Sequence, residues 1–207
     1  NTFRVSLVGY TNAGKSSLLN SLTSPNTAYV KDKLFATLDT TTKSIEIVRN
    51  KKVLVTDTVG FIKNLPHNLV ASFRSTFEEV NSSDLILTVV DSSQPRSVID
   101  EHISTIKSTL NAMNIKIKNN ILIMNKLDSI KENSSINYLK KKHPDAIFIS
   151  AKNHIMIENI KKAIYDKVCG QQKIHIVRIP YEKNYLVNKV YSKYNVVGNI
   201  SKDDFVE

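Results

Sequence analysis

The sequence predicts an α/β domain with a mostly parallel sheet flanked by helices, followed by a small partial α+β segment. Three observations carry this. Strand-like and helix-like periodicities alternate through residues 1–170, the βαβ rhythm that lays helices on a parallel sheet. A loop bracketed by glycines, Gly9 to Ser16, lies between a predicted strand and a predicted helix. The length of 207 residues leaves room for one full domain and an appendage at 171–207, which is too short for an independent core.

The elements follow in order. Arg4 to Val8 is a strand, and Leu18, Leu19 and Leu22 recur at helical spacing after Gly14, predicting a helix over Lys15 to Leu22. Ser44 to Val48 and Val53 to Thr56 form a hairpin around the polar turn Asn50-Lys51-Lys52. His67 to Val80 reads as a helix, and Leu85 to Val90, apolar or β-branched throughout, as a central buried strand. Pro95 suits the first turn of a helix running to Met113. Asn120 to Met124 is a further buried strand. A helix at Ile136 to Lys142, a short strand at Ala146 to Ile149 and a helix at Glu158 to Val168 closed by Gly170 complete the domain. Beyond the linker Gln171-Gln172 come a strand, Ile174 to Ile179, a short helix at Tyr185 to Tyr191, and Val196-Val197.

Composition narrows the class. With 41% hydrophobic and 23% charged residues the chain is ordinary for a globular protein, and no apolar run nears the roughly 18 residues of a transmembrane segment. The single cysteine, Cys169, excludes an internal disulfide framework and a Cys-rich zinc site, and suits a reducing compartment such as the cytoplasm or an organelle stroma. Lys and Arg exceed Asp and Glu by 29 to 19, a net charge of +10 that favours a polyanionic partner such as RNA or lipid headgroups. The opening Asn1-Thr2-Phe3-Arg4-Val5 has neither an initiator methionine nor a leader, and reads as a piece of a longer protein.

Gly9-Tyr10-Thr11-Asn12-Ala13-Gly14-Lys15-Ser16 has the spacing of a phosphate-binding loop. Its glycines let the backbone wrap a phosphate chain, and its amides and the following helix N-terminus face phosphate oxygens. Lys15 neutralises β and γ charge, Ser16 ligates Mg²⁺, and Ser17 completes the nucleotide-binding set. Downstream, Asp57-Thr58-Val59-Gly60 follows a strand, where the aspartate can hold Mg²⁺ through water and the Gly60 amide can reach a γ-phosphate.

Asn125-Lys126-Leu127-Asp128 closes another strand at its carboxyl end, where open α/β sheets bind ligands. The Asp128 carboxylate can accept from the ring N–H and the exocyclic amine of guanine, whereas adenine offers it a ring acceptor. A backbone amide of Ser150-Ala151-Lys152 can donate to the guanine carbonyl. Between these motifs, Phe35 to Thr42 is read as a mobile segment that supplies a threonine to Mg²⁺ and the γ-phosphate, Thr37 being preferred over Thr40, Thr41 and Thr42. The predicted chemistry therefore rests on Lys15, Thr37 and Gly60, with Ser16, Thr37 and Asp57 at the metal.

With these motifs in place, the chain resembles the HflX family of translation-associated GTPases, within the Obg/HflX-like P-loop GTPases. The likeness is carried by Gly9 to Ser16, Leu34-Phe35-Ala36-Thr37-Leu38-Asp39, Thr56 to Ile62, Leu65-Pro66-His67 and Phe73-Arg74-Ser75-Thr76. Arg178-Ile179-Pro180-Tyr181 with Leu186-Val187 resembles the start of that family's small C-terminal domain. The sequence departs from the family in Thr40, where proline is usual, and in Ser17, where threonine is usual, and these 207 residues do not include the family's N-terminal domain with its helical linker. The resemblance implies GTP and GDP as ligands, Mg²⁺ as cofactor, and a monomer that docks on the large ribosomal subunit through rRNA, not DNA, to dissociate or rescue ribosomes. A different class also accommodates the motifs: a GTP-gated RNA or protein binding module with negligible hydrolysis.

Phe61 stands where Ras-like enzymes place a water-orienting glutamine, which predicts slow hydrolysis that waits for a partner; it also suits a hydrophobic anchor. His67 and Arg74 lead the candidates for RNA contact, ahead of Arg96 and the run Lys140-Lys141-Lys142-His143, which fit a solvated helix face.

Overall fold

A strand buried on both faces must be apolar or β-branched at nearly every position, and Leu85–Asp91 meets that requirement. The computed structural model describes residues 2–23, 40–48, 51–61, 74–115, 119–170, 176–194, 196 and 198–207, with 74–77 described by backbone alone. Two compact units divide the chain, Asn1–Gly170 and Gln171–Glu207.

The first unit contains β1 (Arg4–Gly9), α1 (Lys15–Thr23), β2 (Thr41–Val48), β3 (Lys51–Asp57), α2 (Arg74–Asn81), β4 (Leu85–Asp91), α3 (Arg96–Ala112), β5 (Asn120–Asn125), α4 (Asn133–Lys142), β6 (Ile147–Phe148) and α5 (Ile157–Gly170). Its sheet runs β2-β3-β1-β4-β5-β6. Every neighbouring pair is parallel except β2 with β3, so the fold is the predicted one.

Strand alternation divides the core in two. Leu85, Leu87 and Val89 of β4 point to one side with Leu18, Leu19 and Leu22 of α1 and Ile157, Ile160, Ile164 and Val168 of α5. Ile86 and Val90 point to the other, with Ile99, Ile103, Ile106 and Leu110 of α3 and Leu139 of α4. Each enclosed aliphatic side chain contributes about 1.5–3 kcal/mol, so covering both faces of β4 ties the layers into one cooperative body.

Several boundaries move. Thr41, Thr42 and Lys43 belong to β2, because Thr41 pairs with Asp57 and Thr42 with Thr56 across the antiparallel ladder. Lys51 and Lys52 begin β3 instead of forming a turn. The helix predicted from His67 is described only from Arg74, and residues 67–73 lie outside the described residues.

In the second unit, β7 (Ile179–Pro180) pairs antiparallel with β8 (Phe205–Val206), and α6 spans Tyr185–Lys193. Of the strand expected over Ile174 to Ile179, residues 174 and 175 lie outside the described residues. Among the described residues there, Ile179 and Pro180 pair with β8, while Ile176 and Val177 are 74% and 54% exposed. Pro180 also lacks the N–H that would extend the ladder. Among the described residues, no helix is long and apolar enough to cross a membrane.

Candidate nucleotide site

The carboxyl ends of β1, β3, β4 and β5 lie side by side, and the loops leaving them bring most of the predicted site residues to one edge of the sheet. The Gly9–Ser16 loop departs first. A Cβ on Gly9 would lie 2.3 Å from the Val89 carbonyl oxygen, so β1 can run this close to β4 only with glycine there. Gly14 has φ +91°, and a Cβ there would lie 2.3 Å from Asn125 Nδ2. Asn12 adopts φ 61°, a left-handed conformation that asparagine tolerates well.

Lys15 opens α1 yet is only 6% exposed. Its ammonium donates to the carbonyls of Gly9 at 3.2 Å and Tyr10 at 3.3 Å. Burial pushes its pKa down to about 8, against the opposing attraction of Asp57. A cation held this way gains from an anion placed beside it. Ser16 Oγ donates to Asp57 Oδ2 at 2.5 Å. This hydroxyl–carboxylate pair is a hard-oxygen donor set that fits Mg²⁺, which takes few protein ligands and completes its shell with phosphate oxygens and water.

The segment after β3 is fastened to the same loop. Thr58 Oγ1 donates to the Leu7 carbonyl at 2.6 Å. The Phe61 amide donates to the Gly9 carbonyl at 3.0 Å, and the Thr11 amide donates to the Phe61 carbonyl at 2.9 Å. Gly60 lies so close to Thr11 that an added Cβ would be 2.8 Å from its Cα. Phe61 itself is 3% exposed and packs with Val8, Val80 and Ile86, the anchor expected of it.

Asn125, 2% exposed, joins two loops through one side chain. Its Nδ2 donates to the Ala13 carbonyl at 2.9 Å, and its Oδ1 accepts from the Ala151 amide at 3.0 Å. Asn125, one of the predicted nucleotide-binding residues, thus also braces the two loops against each other. Lys126 has φ 65° and pairs with Asp91 Oδ2 at 3.1 Å. Asp128 is exposed, and its carboxylate accepts hydrogen bonds from the hydroxyls of Ser150 and Ser129. The Ala151 carbonyl accepts from Ser21 of α1 at 2.5 Å, while Lys152 is exposed beside it. Ser17 is half-buried in the first turn of α1.

Sequence reasoning overlooked Asp91. Burial alone would raise its pKa, but hydrogen bonds from Ser93, Gln94 and Lys126 outweigh that and hold it below the usual carboxylate range. Its signal was available: an acidic residue that ends an enclosed apolar strand needs partners, and the lysine of the neighbouring loop is one. Thr37 and His67 lie outside the described residues, as does the Arg74 side chain. The Arg96 guanidinium lies 4.0 Å over the Tyr138 ring, and Lys142 bonds both oxygens of Asp100 at 2.7 Å, so these two exposed cations are engaged by neighbouring side chains.

A parallel sheet in this order, with Gly9–Ser16 between β1 and α1, is a P-loop GTPase fold. Residues 4–126 match the 50S ribosome-binding GTPase family. A GTP-binding protein from the hyperthermophilic archaeon Sulfolobus solfataricus, solved in complex with GDP, superposes with a TM-score of 0.64 at 28% identity, covering 82% of this chain and 53% of that one. Within that class the chain belongs to the HflX family. It is 39% identical to GTPase HflX of Caldanaerobacter subterraneus over 203 residues, which is 98% of this chain and 44% of the relative. It is 35% identical to GTPase HflX of Escherichia coli K12 over 188 residues, 90% of this chain and 43% of the relative. The chain thus spans less than half the length of these relatives.

Proposed function

We propose that this chain binds GTP with Mg²⁺, hydrolyses it to GDP and phosphate, and acts as a nucleotide switch on the large ribosomal subunit to dissociate or rescue ribosomes. The observation that carries the nucleotide reading is the Asn125 brace, which sets the base-reading Asp128 loop and the phosphate-wrapping Gly9–Ser16 loop in fixed register.

In this reading the amides of Asn12 to Ser17 face the phosphates, and Lys15 leaves its carbonyl partners to neutralise β and γ oxygens. Ser16 and Asp57 hold the metal, joined by Thr37 when a γ-phosphate is present. Bound Mg²⁺ supplies positive charge against the charge that develops between the β- and γ-phosphates. The Gly60 amide donates to the γ-phosphate. Asp128 accepts from the guanine ring and exocyclic nitrogens, and a backbone amide of the Ser150-Ala151-Lys152 segment not engaged by Asn125 faces the guanine carbonyl. Phe61, enclosed and apolar, cannot orient the attacking water, so turnover is slow until a partner orders that segment.

The ribosomal part of the reading is supported by the family to which residues 4–126 match and by the net charge of +10. The test measures GTP turnover by this chain and by a full-length relative, alone, with unstructured RNA and with large ribosomal subunits. Stimulation by ribosomes alone supports the switch. Equal stimulation by unstructured RNA contradicts it, and no turnover by the full-length relative under any condition favours a GTP-gated binding module.

A further inference from the structure

The second residue of the phosphate loop, Tyr10, lays its ring on the imidazole of His102 from α3, with centroids 3.9 Å apart and planes 10° apart. Rings stacked at that spacing attract beyond the area they bury. His102 borders the buried stripe of α3, three residues after Ile99 and four before Ile106. Its Nδ1 is enclosed without a hydrogen-bond partner among the described residues, a cost that an apolar ring filling the same place would avoid.

Tyr10 is where the loop is shaped. Its carbonyl accepts from the Ala13 amide at 3.2 Å, closing the turn, and from the Lys15 ammonium at 3.3 Å. It also forms a parallel bridge with Phe61. One residue therefore touches the loop's turn, its lysine and the segment that follows Asp57.

We propose that His102 is a positioning residue for the nucleotide: stacked on Tyr10, it fixes the carbonyl that closes the phosphate loop and receives Lys15. The inference rests on the nucleotide reading of Gly9 to Ser16. Charge gives it a second signature. Burial holds the His102 pKa below its ordinary value of 6.5, against the pull of Glu101 on its own helix and of Asp91 at the end of β4. The stacked ring is therefore neutral at pH 7. Acidification below 6.5 forces a proton onto a half-buried ring whose Nδ1 is enclosed, and loosens the stack.

The test follows release of fluorescent GDP from the 207-residue chain and its variants. His102→Ala, which removes the stack, is expected to release GDP about 2- to 10-fold faster at pH 7.5. His102→Phe, which keeps a flat ring, restores most of the wild-type rate. Between pH 7.5 and pH 5.5 wild-type release quickens, whereas His102→Phe, with nothing to protonate, stays level. Release from His102→Ala at the wild-type rate, or from His102→Phe as fast as from His102→Ala, overturns the proposal. Should His102→Ala not fold, as judged by circular dichroism, the two pH profiles decide: an acid dependence in His102→Phe equal to that of the wild type also overturns it. Failure of the wild type to bind GDP at all overturns the nucleotide reading itself, and so differs from every outcome above.

Discussion

In the proposed site, Lys15 should make nucleotide affinity depend on pH, in a direction and range that follow from its burial. Burial brings its pKa down to about 8, whereas a phosphate chain beside the ammonium favours the charged form and raises it again. Binding above pH 8 therefore draws a proton from solvent. With a free-state pKa of about 8, about nine-tenths of the lysine is charged at pH 7 and about one-tenth at pH 9, so GDP affinity should fall about tenfold between them, or about 1.4 kcal/mol. Titration of fluorescent GDP from pH 7 to 9 reads the affinity, and calorimetry in two buffers of different ionisation enthalpy counts the proton, about 0.9 per nucleotide at pH 9. Lys15→Arg keeps its charge throughout the range and serves as the comparison, because ionisation of the guanine ring affects both proteins alike. The same pH slope in both proteins, with no proton taken up by the wild type, would refute the reasoning. Should Lys15→Arg bind too weakly to titrate, the wild-type proton count stands by itself. Folding of the nucleotide-free chain obeys the same linkage. The unfolded lysine, at 10.5, binds more protons than the folded one at about 8, so stability rises with pH across that interval and is lost again as pH falls through 8.

Asp128→Asn replaces an acceptor by a group that can donate, so base preference should move from guanine toward xanthine in competition binding; wild-type protein that bound ATP as tightly as GTP would contradict the role given to this carboxylate. Asp91→Ala strips the partners from Lys126, Ser93 and Gln94 at once, and denaturant melts should show a loss of about 2–3 kcal/mol. Asp91→Asn, which keeps an acceptor oxygen, should lose less in the same measurement. Equal stability of Asp91→Ala and wild type would mean that the aspartate does not hold the Lys126 loop.

The parts of the fold legible in the sequence are those in which each residue's own chemistry decides. Leu85 to Val90 announces a doubly covered strand because no polar side chain other than Thr88 interrupts it. Gly9 and Gly14 mark a tight loop because no other residue fits, as the 2.3 Å approaches at both positions show. What escaped notice depends on partners distant in the chain. Asn125 reads as one letter of a nucleotide motif with Lys126 and Asp128, but that its amide also joins Ala13 to Ala151 follows only from the folded sheet that brings them near. Ile176 and Val177 have the composition of a strand, but a strand needs something opposite, and Phe205–Val206 lies opposite Ile179 and Pro180. Thr41 and Thr42 look like part of a polar loop until Asp57 and Thr56 appear across from them.

The Asn125 brace also bears on how the ligand's two halves act together. Because one enclosed side chain holds the carbonyl of Ala13 and the amide of Ala151, the loops proposed to receive guanosine and pyrophosphate are aligned when the chain folds, before either is filled. The entropy of arranging them falls on folding instead of on association. A joined nucleotide then meets both subsites at high effective concentration, and its affinity should exceed the product expected from guanosine and pyrophosphate bound as separate molecules. Loosening that one amide would return the alignment cost to the binding step, weakening the intact nucleotide far more than either of its fragments.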